Sequence, residues 1–465
     1  MSPDLSSQSR RVLAATSVSY FIVILDTSIV NVALERISLG LSIPITGLQW
    51  VTNAYTLVFA ALLLSGGTLG DRLGARNVYL AGLALFTLAS MSCALAANLL
   101  ILVAARVVQG IGAALLVPCS LKLITQACPS TQARARAIGF WVGCGGVAMA
   151  AGPVFGGILV HLMDWRSIFF VNVPVGLAGI VMTCRVARDV PKGPARRLDI
   201  AGQTAAVVAL AALIAVLIEG EPLGWRSPII LAGMIATVCA WALFLAIESR
   251  TRDAMLPLSL FRNGVFSGST FVSMASAFVF YGLLFVASLY YQRVRAYTPL
   301  STGLALLPMT TMVAVSGVLS NRLSKVGGSR ASMCAAFGLY AGGALALMAL
   351  VSGAPNWTAV VPLVAIGLAA GYVTPAATAP ALATVEHRDA GIAAGALNAA
   401  RQSGSALGVA VFGSVLGANM PFVMAMRVVL CGAAVMAIVA ALVWWKATAV
   451  RRPRPARSRT DSSYG

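Results

Sequence analysis

The stretch VSYFIVILDTSIVNVAL, residues 18–34, decides how the rest of the chain is read. It is apolar enough to cross a bilayer as one helix, yet it carries a carboxylate, Asp26, well inside. A charge at that depth costs about 2.5–3.5 kcal/mol on insertion scales, so it is rarely there without a use. A second apolar run, near 99–121, holds Arg106. At 1.5 Å per residue, Asp26 is expected about 12 Å and Arg106 about 10 Å from the same side. Opposite charges at matched depth in one helix bundle are expected partners, since each alone would be costly. A titratable carboxylate so placed can couple proton movement to a change of shape; the plainer alternative is a pair that only locks the bundle.

The surroundings fit a membrane scaffold. Of 465 residues, 59% are hydrophobic and 10% charged, and mean hydropathy is +0.88. Soluble domains carry roughly 25% charged residues, which excludes a soluble globular protein. Each span takes about 20 apolar residues plus a short loop, which leaves room for about 12 to 14. Apolar runs fall near 12–34, 49–69, 78–97, 99–121, 137–160, 167–187, 200–219, 228–247, 267–291, 300–320, 331–352, 357–381, 393–417 and 427–446. GTLGDRL (67–73) recurs as GVLSNRL (317–323), and the Gly110–Pro118 spacing recurs as Gly367–Pro375. Parallel halves related by an axis along the membrane normal produce such an echo. The predicted fold is an all-α integral membrane protein of fourteen transmembrane helices, two pseudo-symmetric six-helix bundles plus two inserted helices. Residues 1–190 form the first bundle, 191–255 the linker helices and 256–448 the second bundle, with a basic cytoplasmic tail at 449–465. The piece LPLSLFRNGVF before the second bundle reads as interfacial, with Leu and Phe in the membrane and Arg262 toward water.

A formal net charge of +19 could suggest nucleic acid, but its distribution does not. Most of the 33 Lys and Arg fall in one set of alternate loops and termini. Only Arg36, Arg166, Arg226, Arg293, Arg295 and Arg427 fall on the other side, and Arg106 lies within a span. That asymmetry places both termini in the cytoplasm, with the tail RRPRPARSR near anionic headgroups. No nucleic-acid partner is expected. The eight Cys are scattered without a CxxC pair, and there are two His, His161 and His387. Neither a disulfide framework nor a metal site follows. The first apolar run has no small-residue cleavage site after it and reads as an uncleaved span.

Further motifs lie on either side of the charged pair. GGTLGDRLGARN (66–77) joins the second and third spans. There Gly67 and Gly74 allow close approach and a sharp turn, Asp71 can cap the third span, and Arg72 and Arg76 can pair with acids or headgroups. VAMAAGPVFGGILV (147–160) sets Gly152, Gly156 and Gly157 at close-packing spacing, with Pro153 as a pliable point. NAARQSG (398–404) puts Asn398, Arg401 and Gln402 on neighbouring faces, where they could contact a substrate or lock a gate. Asn31, Asn53, Tyr55 and Gln109 are further cavity candidates. Tyr281, Tyr290, Tyr291 and Trp357 suit interfacial anchors as well as ligand contacts.

Several of these stretches carry a resemblance. LDTSIVNVAL (25–34), GTLGDRLGAR (67–76), RVVQGIGAA (106–114), GPVFGG (152–157), WRSIFFVNVPVG (165–176) and LNAARQSGSALGVA (397–410) occur in this order. Together they resemble the major facilitator superfamily, in particular its fourteen-span drug:proton antiporters. The chain is most similar to the methylenomycin A resistance type within that group. The resemblance implies a multi-pass exporter of small lipophilic drugs or antibiotics in the bacterial cell (inner) membrane. It would be no enzyme, would use no cofactor, and would be driven by the proton gradient as a monomer. Asp26 and Arg106 would carry the proton coupling, the 66–77 loop the conformational switch, and GPVFGG the antiporter signature. The alternative is a facilitator or importer of a small metabolite on the same fold. The absence of a deep carboxylate after residue 267 favours neutral or anionic compounds over lipophilic cations.

Overall fold

The computed structural model describes residues 6–128, 130–186, 199–251, 255–351, 355–386 and 389–449. Most of the predicted basic loop at 185–199, His387 and the basic tail lie outside the described residues. Along the chain come α1 (Ser7–Leu41), α2 (Ile45–Leu73), α3 (Ala75–Ala94), α4 (Leu99–Ala127) and α5 (Thr131–Leu162). The short α6 (Ser167–Phe170) runs into α7 (Asn172–Val186), followed by α8 (Ile200–Leu223) and α9 (Pro228–Arg250). The remainder is α10 (Gly264–Arg293), α11 (Pro299–Gly327), α12 (Ser329–Leu350), α13 (Val360–Ala383), α14 (Ala390–Gly417) and α15 (Phe422–Ala447). Among the described residues there is no strand. Side chains of Ser6, Asn98, Ser130, Ser227 and Thr298 accept from the first free backbone N–H groups of their helices, which fixes where those helices begin.

Thirteen helices are long and apolar enough to cross a bilayer, counting Ser167–Val186 as one. The run predicted at 393–417 is α14, 28 residues long, which is long enough but less apolar. Its first half spends positions on Asn398, Arg401 and Gln402 among small Gly and Ala. Helices also outrun their apolar stretches. Past Leu34, α1 continues to Leu41, because Ile37 stays buried, Glu35 pairs with Arg293 and Ser38 donates to the Ile43 carbonyl at 2.7 Å. Asp26 therefore lies about 22 Å from that end of its helix, deeper than the apolar run suggested. Leu256, Leu260 and Phe261 pack on Phe266 and the start of α14 instead of standing out in lipid.

In the first half α1 packs on α5, and α2 and α3 pack on α4. In the second half α10 packs on α14, α11 on α13 and α12 on α15. Two pairs, α5 with α11 and α2 with α14, join the halves, and α8 lies against the α2–α14 seam with α9 behind it. The seam is held at the end remote from the chain termini. There Ser288 and Gln292 donate to the carbonyls of Asn31 and Val32 at 2.6 and 3.1 Å, and Gln49 donates to the Ala410 carbonyl at 2.7 Å.

Missing side chains make the α5–α11 contact possible. A Cβ on Gly303 would sit 2.2 Å from the Pro153 carbonyl oxygen, and one on Gly157 would sit 2.7 Å from that of Pro299. Backbone cannot swing aside, so Gly303→Ala should destabilise the chain by about 1–3 kcal/mol, as overpacking does. Gly338, in α12, has nothing within 4 Å of its Cβ position. Gly338→Ala should therefore be neutral or gain up to about 1 kcal/mol of helix propensity. Denaturant unfolding in detergent measures both; equal shifts would refute the close-packing account.

Candidate functional site

The two charges singled out in the sequence meet. Asp26 is 0% and Arg106 1% exposed, and the Arg106 Nη1 donates to Asp26 Oδ2 at 2.5 Å. Asp26 Oδ1 accepts two further bonds, from Gln109 Nε2 at 2.9 Å and from Asn172 Nδ2 at 3.1 Å. Both amides also donate to the Ser90 hydroxyl, at 2.7 and 3.2 Å. Arg106 also donates from Nε to the Val51 carbonyl at 3.1 Å and from Nη1 to Gln109 Oε1 at 2.7 Å, with its guanidinium 4.4 Å from the Tyr55 ring centre. Five helices, α1 to α4 and α7, thus converge on one carboxylate. A buried pair recovers its desolvation cost only where the leftover donors and acceptors are also satisfied; here both Asp26 oxygens are bonded, while Asn172 Oδ1 is left without a partner.

Beyond Asp26, the Arg106 guanidinium is also held by the Val51 carbonyl, Gln109 Oε1 and the Tyr55 ring face, so the carboxylate is one of several contacts that fix it.

Gln109 and Tyr55, foreseen as cavity residues, belong to the shell of this pair. Asn31 bonds back to the Thr27 carbonyl at 3.0 Å, while its own carbonyl sits in the seam. Asn53 is fully buried, and both polar atoms of its side chain lack a partner. Asn172 and Ser90 were missed. Asn172 was visible as an amide inside an apolar run, whereas a Ser in an Ala-rich helix gives no signal.

The loop at 66–77 is arranged differently from its reading. Since α2 runs through to Leu73, Asp71 lies on its last turn and pairs with Lys122 of α4, so it does not cap α3. Gly74 makes the turn at φ +95°. Gly67 meets only the Pro118 side chain, at an ordinary 3.7 Å, while its neighbour Gly66 is the tight one, its Cβ position 2.2 Å from the Ala114 carbonyl oxygen. Arg72 is exposed, and Arg76 reaches the Cys184 carbonyl at 3.4 Å. In α5, Gly152 and Gly156 face α1 at Ser28 and Ile29, Gly157 faces α11, and the Pro153 carbonyl meets Gly303.

Half-buried positions trace a cleft between the halves. They follow the helical period through Phe21, Ile24 and Thr27 on α1 and through Met274, Phe278 and Tyr281 on α10, with Asn398 and Arg401 on α14. Past Thr27 and Tyr281 the same faces are buried without a break up to Leu34 and Gln292. On these faces the half-buried positions therefore stop near mid-depth and lie on the side where α1 begins and α15 ends. Gln402 is buried beside the cleft.

A sequence profile described as Major Facilitator Superfamily matches residues 16–409. Over 88% of both chains, the protein is 37% identical to the methylenomycin A resistance protein of Bacillus subtilis (strain 168). It is also 37% identical to the multidrug resistance protein Stp of Mycobacterium tuberculosis (strain CDC 1551 / Oshkosh), over 87% of this chain and 75% of that one. Among solved structures it resembles a D-xylose–proton symporter with a TM-score of 0.68 at 15% identity, covering 94% of this chain and 97% of the other.

Proposed function

Because the chain belongs to the Major Facilitator Superfamily, and is therefore a multi-pass membrane transporter and no enzyme, we propose that it exports small drugs or antibiotics in exchange for protons. The observation that carries this reading is the buried Asp26–Arg106 pair, a titratable tie between helices beside a cleft that ends at mid-depth. Relatives named for antibiotic and multidrug resistance support an exporter of small molecules. All fourteen long helices, α14 included, cross the bacterial inner membrane with both termini in the cytoplasm. Two pseudo-symmetric six-helix bundles, α1–α7 and α10–α15, enclose the cleft, and α8 and α9 are inserted beside them. The matching pairs α2–α4 and α11–α13, each tightened at a glycine (Gly110, Gly367), support that symmetry.

In the proposed cycle this state faces the cytoplasm and loads drug while Asp26 is ionised. A proton reaching Asp26 from outside frees Arg106, and the bundles rock about the cleft. Loss of that proton inward restores the pair. One proton through 100 mV supplies about 2.3 kcal/mol, enough for roughly a 40-fold drug gradient.

The test takes an efflux-deficient strain, screens growth on an antibiotic panel with and without the chain, and carries each hit into everted vesicles. Adding the hit compound should drive protons out of acidified vesicles while the compound accumulates inside. Absence of protection, or movement in the opposite direction, would leave the facilitator or importer.

A further inference from the structure

The cleft holds a cation with no counter-charge. Arg401 stands eleven residues into α14, about 17 Å from its start, where the helix lies between the halves. Its guanidinium donates to Asn398 Oδ1 at 2.9 Å, and among the described residues no carboxylate pairs with it. The one other acid at that depth, Asp26, is already committed to Arg106, Gln109 and Asn172. Among the described residues this depth therefore carries two guanidiniums, Arg106 buried and Arg401 half-buried, against one carboxylate.

What faces Arg401 from the other elements is also donor-rich. The Tyr20 hydroxyl of α1 turns toward the guanidinium, and Tyr281 of α10 lies within electrostatic range of both. Tyr20 stacks on Trp141 of α5 with ring centres 3.7 Å apart and planes at 20°. Trp141 is only 6% exposed, and its Nε1 has no partner. Three helices from both halves, α1, α10 and α14, thus bring an arginine and two tyrosines together, and α5 backs the Tyr20 ring with a buried indole. An unpaired cation at mid-membrane is costly, and the missing components are an acceptor with negative charge and an apolar body to cover the rings.

We propose that this cluster is the substrate anchor, that Arg401 binds the anionic group of an organic acid, and that the Tyr20 ring, backed by Trp141, carries its ring system. The proposal rests on the export reading above and narrows its substrates to amphiphilic carboxylates or sulfonates, excluding lipophilic cations. Because α1 and α5 belong to one half and α10 and α14 to the other, such an anion bridges the two bundles. Binding then neutralises a charge that otherwise opposes closure of the cleft.

Three probes of one shape separate charge from ring: 2-naphthoate, 2-naphthamide and 2-naphthylmethylammonium. Equilibrium dialysis against the full chain in nanodiscs, corrected with empty discs, should show naphthoate bound on the order of tenfold or more tighter than the other two. Arg401→Gln should remove that preference and leave naphthamide within about twofold, which also shows that the variant is folded; Arg401→Lys should keep part of it. Equal affinities for the three probes, or no binding of any, would overturn the proposal. So would a loss in Arg401→Gln shared by naphthoate and naphthamide, the mark of a structural role. Dialysis needs no gradient, so a carboxylate preference that survives a failed vesicle assay would sink the export reading alone.

Discussion

If the chain works as the proposed exporter, Asp26→Asn should yield a folded protein that no longer couples drug movement to protons. Asn keeps the shape and one acceptor for Gln109 and Asn172, whose bonds to Oδ1 are 2.9 and 3.1 Å. It cannot take up and give back a proton in the physiological range. Arg106 stays anchored by the Val51 carbonyl, Gln109 and the Tyr55 ring, so the helices remain assembled. The expected loss is therefore in energy conversion. Steady-state accumulation in energised everted vesicles should fall from roughly 40-fold per 100 mV toward equality across the membrane. Drug-driven proton release should vanish with it, while drug still equilibrates through a carrier that rocks without coupling. Undiminished accumulation by Asp26→Asn would remove this carboxylate from the engine, whatever else the fold does.

The charged pair was legible because two charges are conspicuous in apolar sequence and must find each other at depth. What surrounds them was not. Ser90 and Asn172 are neutral, cost a helix little, and become meaningful only when α7 brings Asn172 to Asp26 Oδ1 and α3 brings the Ser90 hydroxyl to the same amides. Hydropathy located the apolar runs but could not say where helices end, since polar turns such as 35–41 continue a helix once a partner like Arg293 receives them. The run at 393–417 reads as a span and is α14, yet it is the least apolar of the long helices. A helix that faces a polar cleft gives up apolar positions, so the residues that interest a substrate weaken the signal for the span. Glycines were read by motif, and the motif pointed one residue off. Gly66, whose Cβ position is 2.2 Å from a backbone oxygen, does the close packing assigned to Gly67. Only three-dimensional contact distinguishes neighbours in a GG pair, because they face directions about 100° apart on one helix.

The second large effect concerns stability. Arg106→Gln leaves a buried carboxylate beside amides and a hydroxyl, with no cation in reach. Breaking a buried pair from one side costs about 3–5 kcal/mol. Neutralising an ordinary carboxyl at pH 7 instead costs about 4 kcal/mol. The two routes agree, so Arg106→Gln should lose about 3–4 kcal/mol in denaturant unfolding, and most expressed protein should be recovered only at low temperature. If the variant escapes by the second route, its native state holds one more proton than the unfolded chain. Its stability should then rise as pH falls from 7 toward 5, by about 1.4 kcal/mol per unit, while the parent changes little. Adding Asp26→Asn to Arg106→Gln removes the orphaned charge, and the double variant should regain at least half of the loss. A cycle built from the two singles and the double therefore separates what the pair does for the fold from what it does for transport. Stability returns in the double variant, and coupling does not. If the double variant instead stayed as unstable as Arg106→Gln, the cost would lie in lost packing around Tyr55 and Val51, and the pair would have no electrostatic part in holding α1 to α4.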